Sequence, residues 1–352
     1  MKILIIKPSS FGDIIQALPC ANALKQVYCR CEISWVVFNN WEPLLKICCD
    51  IDKIITWDRK KGLKGFFEVL KKVRKTEYDI IIDLQGLLRS AALAKFAKAK
   101  IKLGVPGMKE FSNLLIKEVY PKKSCLNATL RNLEPVHFLT GKIFKPEVNI
   151  IINNDIEKSV KKILQDNGLY LDCHCEQSYN AVKNPKRIDI LPAKTLKYDK
   201  HQKASNEFSR DFITLLPFAR GKGKDWSIPN YCKLIDIITK KYTSMHIVIL
   251  GFKCDFGKIQ SNKVVDLCGK TTTAELAGVL SKSKVAVGAD TGSMHLAAVL
   301  QTPSVFVFGS SDINETSPYI GRFSLIENYT NPNDINDIKP ESVFAEIEKW
   351  IK

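Results

Sequence analysis

The chain of 352 residues has no run of about 18 uncharged apolar residues, so its sequence offers no membrane-spanning helix. Met1 to Lys7 lacks the charged, then apolar, then small-residue layout of a secretory leader, and the expectation is a cytoplasmic protein. Helix-turn-helix, RRM and zinc-finger patterns are missing. No repeat with a period of about 20–50 residues is found. Acid is short relative to base: 37 Asp+Glu against 53 Lys+Arg leave +16 at pH 7. Such an excess favours anionic partners, whether nucleic acid, phosphorylated small molecules or an acidic membrane surface. The basic residues are spread along the chain, which makes nucleic acid the least expected of the three.

Cysteine gives no disulfide framework. Eleven is an odd number, and Cys20, Cys232, Cys254 and Cys268 lie in or beside apolar runs, so reduced thiols acting as small hydrophobes are expected. Cys173-His174-Cys175, with His201 downstream, is too tightly spaced for a zinc knuckle. No metal site is expected.

What is present is the composition of a globular protein, 45% apolar, in a length that predicts two domains. Short Ile- and Val-rich runs predict strands buried on both faces: Lys2–Lys7, Ile33–Phe38, Lys53–Trp57 and Asp79–Leu84, then Phe212–Leu216, His246–Leu250, Val264–Leu267, Lys284–Gly288 and Ser304–Phe308. Helical periodicity fills the intervals, notably from Asp13 to about Tyr28, and over Ile228–Lys241, Thr273–Ser281, Gly292–Leu300 and Pro340–Ile351. This alternation is that of a parallel α/β sheet, seen twice. The reading is an N-terminal domain over 1–166, a connector with a polar surface insertion over 167–210, and a C-terminal domain over 211–352. The last helix is also a candidate to pack back on the N-terminal domain.

Four segments sit where a predicted strand ends, the place where open α/β sheets bind ligands. Lys7-Pro8-Ser9-Ser10-Phe11-Gly12-Asp13 opens the first helix, and its glycine spacing fits neither the dinucleotide fingerprint nor the P-loop. Asp13 reads either as a first-turn carboxylate favoured by the helix dipole or as a general base facing a cleft. Ala289-Asp290-Thr291-Gly292-Ser293-Met294-His295 offers backbone N–H groups at a helix start, a diphosphate site, with His295 one turn in. Arg220 to Trp226 carries three cations among glycines. Gly251-Phe252-Lys253-Cys254-Asp255 places an acid after a strand, where a ribose hydroxyl could be met. One nucleotide diphosphate would satisfy the last three together.

The residues Lys7–Asp13 (KPSSFGD), Asp83–Ala91 (DLQGLLRSA), Lys224–Trp226 (KDW) and Ala289–Ala298 (ADTGSMHLAA) resemble the ADP-heptose:lipopolysaccharide heptosyltransferases of Gram-negative bacteria, type I slightly more than types II and III. The resemblance covers nearly the whole chain, with 167–210 its poorest part. It implies a GT-B fold, two Rossmann-like domains facing across a cleft, the second holding the ADP-sugar. It implies inverting transfer of heptose to the Kdo/heptose inner core, with Asp13 as base, no cofactor and no essential metal. It assigns Lys224, Asp255, Asp290, Thr291, Gly292 and His295 to the donor. Lys7, Ser9, Ser10, Gly12, Lys60, Lys64 and Gln85 fall to the acceptor and cleft, with Lys109 a substitute for a family arginine. Partners implied are ADP-heptose, a Kdo2-lipid A or heptosylated acceptor, and an anionic inner-membrane surface on which the enzyme lies peripherally. The alternative is a type II or III enzyme with a different inner-core acceptor, or a related transferase using another nucleotide sugar. The basic stretch Lys64–Lys75 reads as a solvated face or as that membrane contact.

Overall fold

A computed structural model describes residues 1–120, 127–169, 212–218, 224–251, 261–328, 331 and 334–351. The two sets of apolar runs form two six-stranded parallel sheets. The first has β1 (Lys2–Ile6), β2 (Glu32–Phe38), β3 (Lys53–Trp57), β4 (Glu77–Asp83), β5 (Lys98–Gly104) and β6 (Lys117–Glu118), in the order β3-β2-β1-β4-β5-β6. The second has β7 (Phe212–Leu216), β8 (His246–Ile249), β9 (Val264–Asp266), β10 (Val285–Ala289), β11 (Ser304–Phe308) and β12 (Phe323–Glu327), in the order β12-β11-β10-β7-β8-β9. The two orders are the same winding repeated. Each reverses direction once, between β1 and β4 in one sheet and between β7 and β10 in the other. Those switch points open crevices at the carboxyl ends of the strands.

The helices are α1 (Phe11–Val27), α2 (Glu42–Leu45), α3 (Gly62–Val73), α4 (Leu88–Phe96), α5 (Ala128–Thr140), α6 (Asn154–Asp166), α7 (Ile228–Lys241), α8 (Thr273–Lys282), α9 (Gly292–Val299), α10 (Ile313–Thr316) and α11 (Pro340–Ile351). Their starts are written locally. Thr272 caps α8 reciprocally with Glu275: the Glu275 N–H donates to Thr272 Oγ1 at 3.3 Å and the Thr272 N–H to Glu275 Oε2 at 2.8 Å.

Strands missing from the sequence reading lie at or next to sheet edges. β5 alternates Lys with small or apolar residues and is only half buried, so it lacks the all-apolar run of a central strand. The two-residue β6 and the half-buried β12 are themselves edge strands.

Helix packing redraws the domain boundary. α6 lies within the 1–166 segment but buries Val160 and Leu164 against α8. Its Glu157 pairs with Lys282 at 3.4 Å, and its Ser159 donates to Glu275. By packing, α6 belongs to the second unit. α11 packs on α7 and β11 of the second unit rather than crossing to the first, with Val343, Phe344 and Ile347 in one apolar cluster with Leu234, Ile235 and Ile238. The largest apolar cluster runs through both units, from Phe11, Ile14 and Leu18 of α1 to Met294 and Leu296 of α9. Most of the 167–210 connector, Cys173-His174-Cys175 and His201 lie outside the described residues. Cys20 and Cys232 are free thiols as expected, whereas Cys268 is disulfide-bonded.

Trp226, from the KDW motif, is 1% exposed, meets Tyr231 edge-on at 4.8 Å and donates its indole N–H to Ile338 O at 2.9 Å. It ties the segment carrying Lys224 to the chain entering α11. Trp226→Ala is expected to cost about 3–5 kcal/mol, read as a lowered urea midpoint; an unchanged midpoint contradicts this role.

Candidate functional site

The two units meet where α1 and α9 begin. A Cβ placed on Gly292 would stand 2.6 Å from Phe11 Cδ1 and 2.7 Å from the Gly12 nitrogen, and one on Gly12 would stand 3.2 Å from Gly292 Cα. Only glycines allow this approach. It is reinforced by polar contacts from the far unit. Gln16 Nε2 donates to Thr316 O at 3.2 Å, Asn127 Nδ2 to Ser317 O at 3.0 Å, and Arg131 pairs with Glu315 at 2.8 Å.

Beside this seam lies a cavity of about 500 Å³, lined from the first unit by Ser10, Gly12, Asp13 and Trp41, and from the second by Lys224, Asp290, Thr291, Gly292 and His295. Asp13 stands in the first turn of α1. Its Oδ2 accepts from the Ser10 N–H at 2.9 Å and from Ser10 Oγ at 2.7 Å. Among the described residues none donates to Oδ1, so the carboxylate both secures the helix start and keeps an oxygen for the cavity. Burial works to raise its pKa. The Lys7 ammonium, the two Ser10 hydrogen bonds and the charge of His295 together outweigh that, holding the carboxyl below the ordinary range.

Lys7 does not line the cleft. Its side chain is buried beneath the floor, where Nζ donates to Leu84 O at 3.0 Å. Burial lowers its pKa, against the pull of Asp13 and Asp83. Asp83, fully buried, is pushed up to about 6 by desolvation despite donations from Ser90 Oγ, Gly86 N and Gln85 N and the nearby Lys7. The DLQG motif thus contributes a carboxylate under the site that the sequence reading passed over.

In the second unit Thr291 caps α9 through its hydroxyl, which accepts from Met294 N at 3.3 Å. That frees Asp290 from capping. It pairs with His295 Nε2 at 3.1 Å, and both side chains are mostly buried. Burial would raise the Asp290 pKa; His295, Ser311 and the Lys224 charge pull it below the ordinary range instead. Lys224, Thr291, Gly292 and His295 therefore come together as the sequence indicated. Asp255 lies outside the described residues.

A second cavity of about 480 Å³ sits wholly in the first unit, lined by Ser9, Phe38, Trp57, Arg59, Gln85, Leu88, Arg89 and Glu110 among others. Ser9 and Gln85 belong here, joined by the Ser9 N–H to Gln85 Oε1 at 3.3 Å. Since Ser10 lines the first cavity and Ser9 the second, the chain Ser9-Ser10 forms the wall between them. Lys60 and Lys64 do not line either cavity and are exposed. The cations that do line the second are Arg59 and Arg89, with Arg59 over the Phe38 ring at 5.7 Å. Asp58 accepts from the Lys60 N–H at 3.0 Å and shapes the short turn Arg59–Lys61. Lys109 is exposed, and its N–H donates to Gly86 O at 2.8 Å. No group of three His, Cys, Asp or Glu among the described residues is arranged to hold a metal.

Comparison with known proteins identifies the family and the fold. The family model described as "Glycosyltransferase family 9 (heptosyltransferase)" matches residues 66–140 and 175–342. The chain is 22% identical to the lipopolysaccharide core heptosyltransferase OpsX of Haemophilus influenzae, over 97% of this chain and 88% of that one. It is 26% identical to lipopolysaccharide heptosyltransferase 1 of Campylobacter coli, over 88% and 84%. Its structure is similar to that of E. coli heptosyltransferase WaaC with ADP, with a TM-score of 0.73, 18% identity and 99% of each chain covered.

Gly292→Ala forces the two backbones apart or strains them, at a cost of about 1–3 kcal/mol. A lowered melting temperature with a larger radius of gyration in X-ray scattering is the expected result; a melt and radius equal to wild type would show that the contact does not hold the units together.

Proposed function

The chain belongs to glycosyltransferase family 9, a glycosyltransferase with the two-sheet α/β fold of the solved heptosyltransferases, and from that premise we propose that it moves heptose from ADP-heptose, with inversion, to the inner core of lipopolysaccharide. The observation that carries the reading is the convergence on one cavity of Asp13 from the first unit with Lys224, the Asp290–His295 pair and the α9 N-terminus from the second. The relative whose structure was solved with ADP shares the fold of both units.

The mechanism follows from charge. The ADP diphosphate lies against the free N–H groups at the start of α9 and against Lys224. As the bond to the sugar breaks, negative charge grows on the diphosphate, and these groups stabilise it without a metal. Asp290 orients the His295 ring beside the same charge. Asp13 Oδ1 takes the proton from the acceptor hydroxyl as that oxygen attacks the anomeric carbon from the face opposite the leaving ADP. Lys7 and Ser10 keep Asp13 ionised and ready. The acceptor's attacking hydroxyl reaches over the Ser9-Ser10 wall to Asp13 in the first cavity, while the rest of the acceptor sugar rests in the second cavity. Its two arginines suit carboxylates and its Trp57 and Phe38 suit a sugar ring, which favours Kdo, an acidic sugar, as in a type I enzyme. A lipid-borne acceptor of this class puts the reaction on the cytoplasmic face of the inner membrane.

With ADP-heptose and Kdo2-lipid A, Asp13→Asn is expected to lower kcat by about 10²–10⁴-fold while ADP still binds. Lys224→Ala is expected to raise the donor KM about tenfold or more, since hydrogen bonds to charged groups carry about 1.5–3 kcal/mol. Wild-type turnover in the first variant overturns the base assignment.

The pH profile gives an independent check. A base must be ionised, and Asp13 is held below the ordinary carboxylate range. The acid limb of kcat/KM should therefore fall below that range. Ser10→Ala removes a hydrogen bond to the charged form and moves the limb to higher pH. A limb near pH 6 that Ser10→Ala leaves in place would belong to Asp83 and would count against Asp13.

A further inference from the structure

Beside the second cavity stand apolar side chains that no other described residue covers. Leu63 and Phe67, one turn apart on α3, are 79% and 63% exposed, and Leu88 at the start of α4 is 46% exposed. Phe111 and Leu114, on the short turn that packs against α4, are 80% and 78% exposed. Each group is anchored to the cavity wall. Phe67 meets Phe66 at 5.7 Å, and Phe66 meets the wall residue Trp57 at 5.9 Å. Leu88 is itself in the wall, and Glu110, next to Phe111, accepts from the Leu88 N–H at 3.0 Å. Phe66 and Leu70 turn inward to the core of the first unit, so the exposure of Leu63 and Phe67 is not a by-product of a loose helix.

The charge around these side chains has one sign. The segments Asp58–Lys72, Leu87–Phe96 and Gly107–Leu114 carry nine lysines and arginines against three acids. All three acids are engaged within the protein. Asp58 accepts from Lys60 N, Glu68 pairs with Lys61 at 2.9 Å, and Glu110 accepts from Leu88 N. Lys60, Lys64, Lys71, Arg89 and Lys109 remain exposed. Protruding apolar side chains ringed by cations are what an anionic bilayer surface accepts, the former entering the acyl boundary and the latter meeting head groups. A protein partner would need acidic complements at the same spots and an apolar groove, whereas a bilayer offers both everywhere.

We propose that the face formed by α3, the start of α4 and the Ser112–Leu114 turn is a docking surface for an anionic lipid bilayer, seating the mouth of the second cavity at head-group level. The docking stands on the surface alone; that it delivers a lipid-borne acceptor to Arg59 and Arg89 rests on the function proposed above. No helix among the described residues is long and apolar enough to cross a membrane, so attachment through this face is peripheral.

The test is flotation of the full chain with vesicles containing phosphatidylglycerol or phosphatidylcholine alone, with neither donor nor acceptor present. Wild type should float with the first and not the second, and raised salt should release it, since screening shortens to about 3 Å near 1 M. The combined variant Leu63→Ser, Phe67→Ser, Phe111→Ser and Leu114→Ser should bind anionic vesicles at least tenfold more weakly, with unchanged melting temperature and ADP affinity. Failure of wild type to float, equal flotation of the variant, or a wild-type dimer that the variant converts to monomer without a change in flotation each overturns the proposal. A protein that floats yet transfers no sugar leaves the surface standing and sinks the transfer reading; one that transfers sugar yet does not float does the reverse.

Discussion

Two helices of the protein start at the same point, and the site depends on that contact. Gly12 and Gly292 bring the backbones of α1 and α9 together without side chains between them. Each helix start carries about half a positive charge in unpaired N–H groups, so their approach is repulsive unless negative charge lies close by. Asp13 and Asp290 supply it, one in the first turn of α1 and the other just before α9. Both carboxyls are held ionised by cations and hydrogen bonds stronger than the burial that opposes them. A diphosphate entering the cavity would add negative charge where two helix starts and Lys224 converge.

The parts of this legible in the sequence were those fixed by local chemistry. Central strands announce themselves because burial on both faces demands an unbroken apolar run, as in KILII and SVFVF. The turns after β1 and β10 were found because glycine, small polar residues and an acid at a helix start have few other uses. Side-chain direction was not legible. Arg59, Lys60 and Lys64 are equivalent on paper, and only the fold turns Arg59 over Phe38 into the cavity while the two lysines face solvent. Lys7 was placed in the cleft because it ends a strand at the crevice; in the fold it turns beneath the floor to reach Leu84. The packing of α6 on α8 was not legible for a related reason: its amphipathic pattern says that one face is buried, not which unit buries it.

The inherited charge of +16 divides by environment rather than by position. Lys7 is buried and acts through space, with Asp13 above and Asp83 below it. Lys224 is at the cavity. Arg59 and Arg89 line the second cavity, and a further set of lysines stays in water around it. These uses differ in salt sensitivity. Exposed charges are screened within a Debye length, while Lys7 is not. Ionic strength should therefore weaken the proposed surface attachment long before it alters the state of Asp13.

The same difference explains why a buried lysine is kept under the site. A solvent-exposed cation near Asp13 would hold the carboxylate ionised only weakly and would be free to pair with the incoming diphosphate instead. Lys7 cannot do that, because its Nζ is fixed on the Leu84 carbonyl and enclosed by protein. Its desolvation is disfavoured, as its lowered pKa records, and the charges of Asp13 and Asp83 offset part of it. Asp83 in turn is tolerated because three donors and Lys7 face it. Lys7 thus couples electrostatically to buried Asp83 on one hand and to the cavity-lining Asp13 on the other. In the transfer proposed above, a base at this position keeps a low proton affinity at rest and gains the acceptor's proton only as the attacking oxygen bonds to the anomeric carbon.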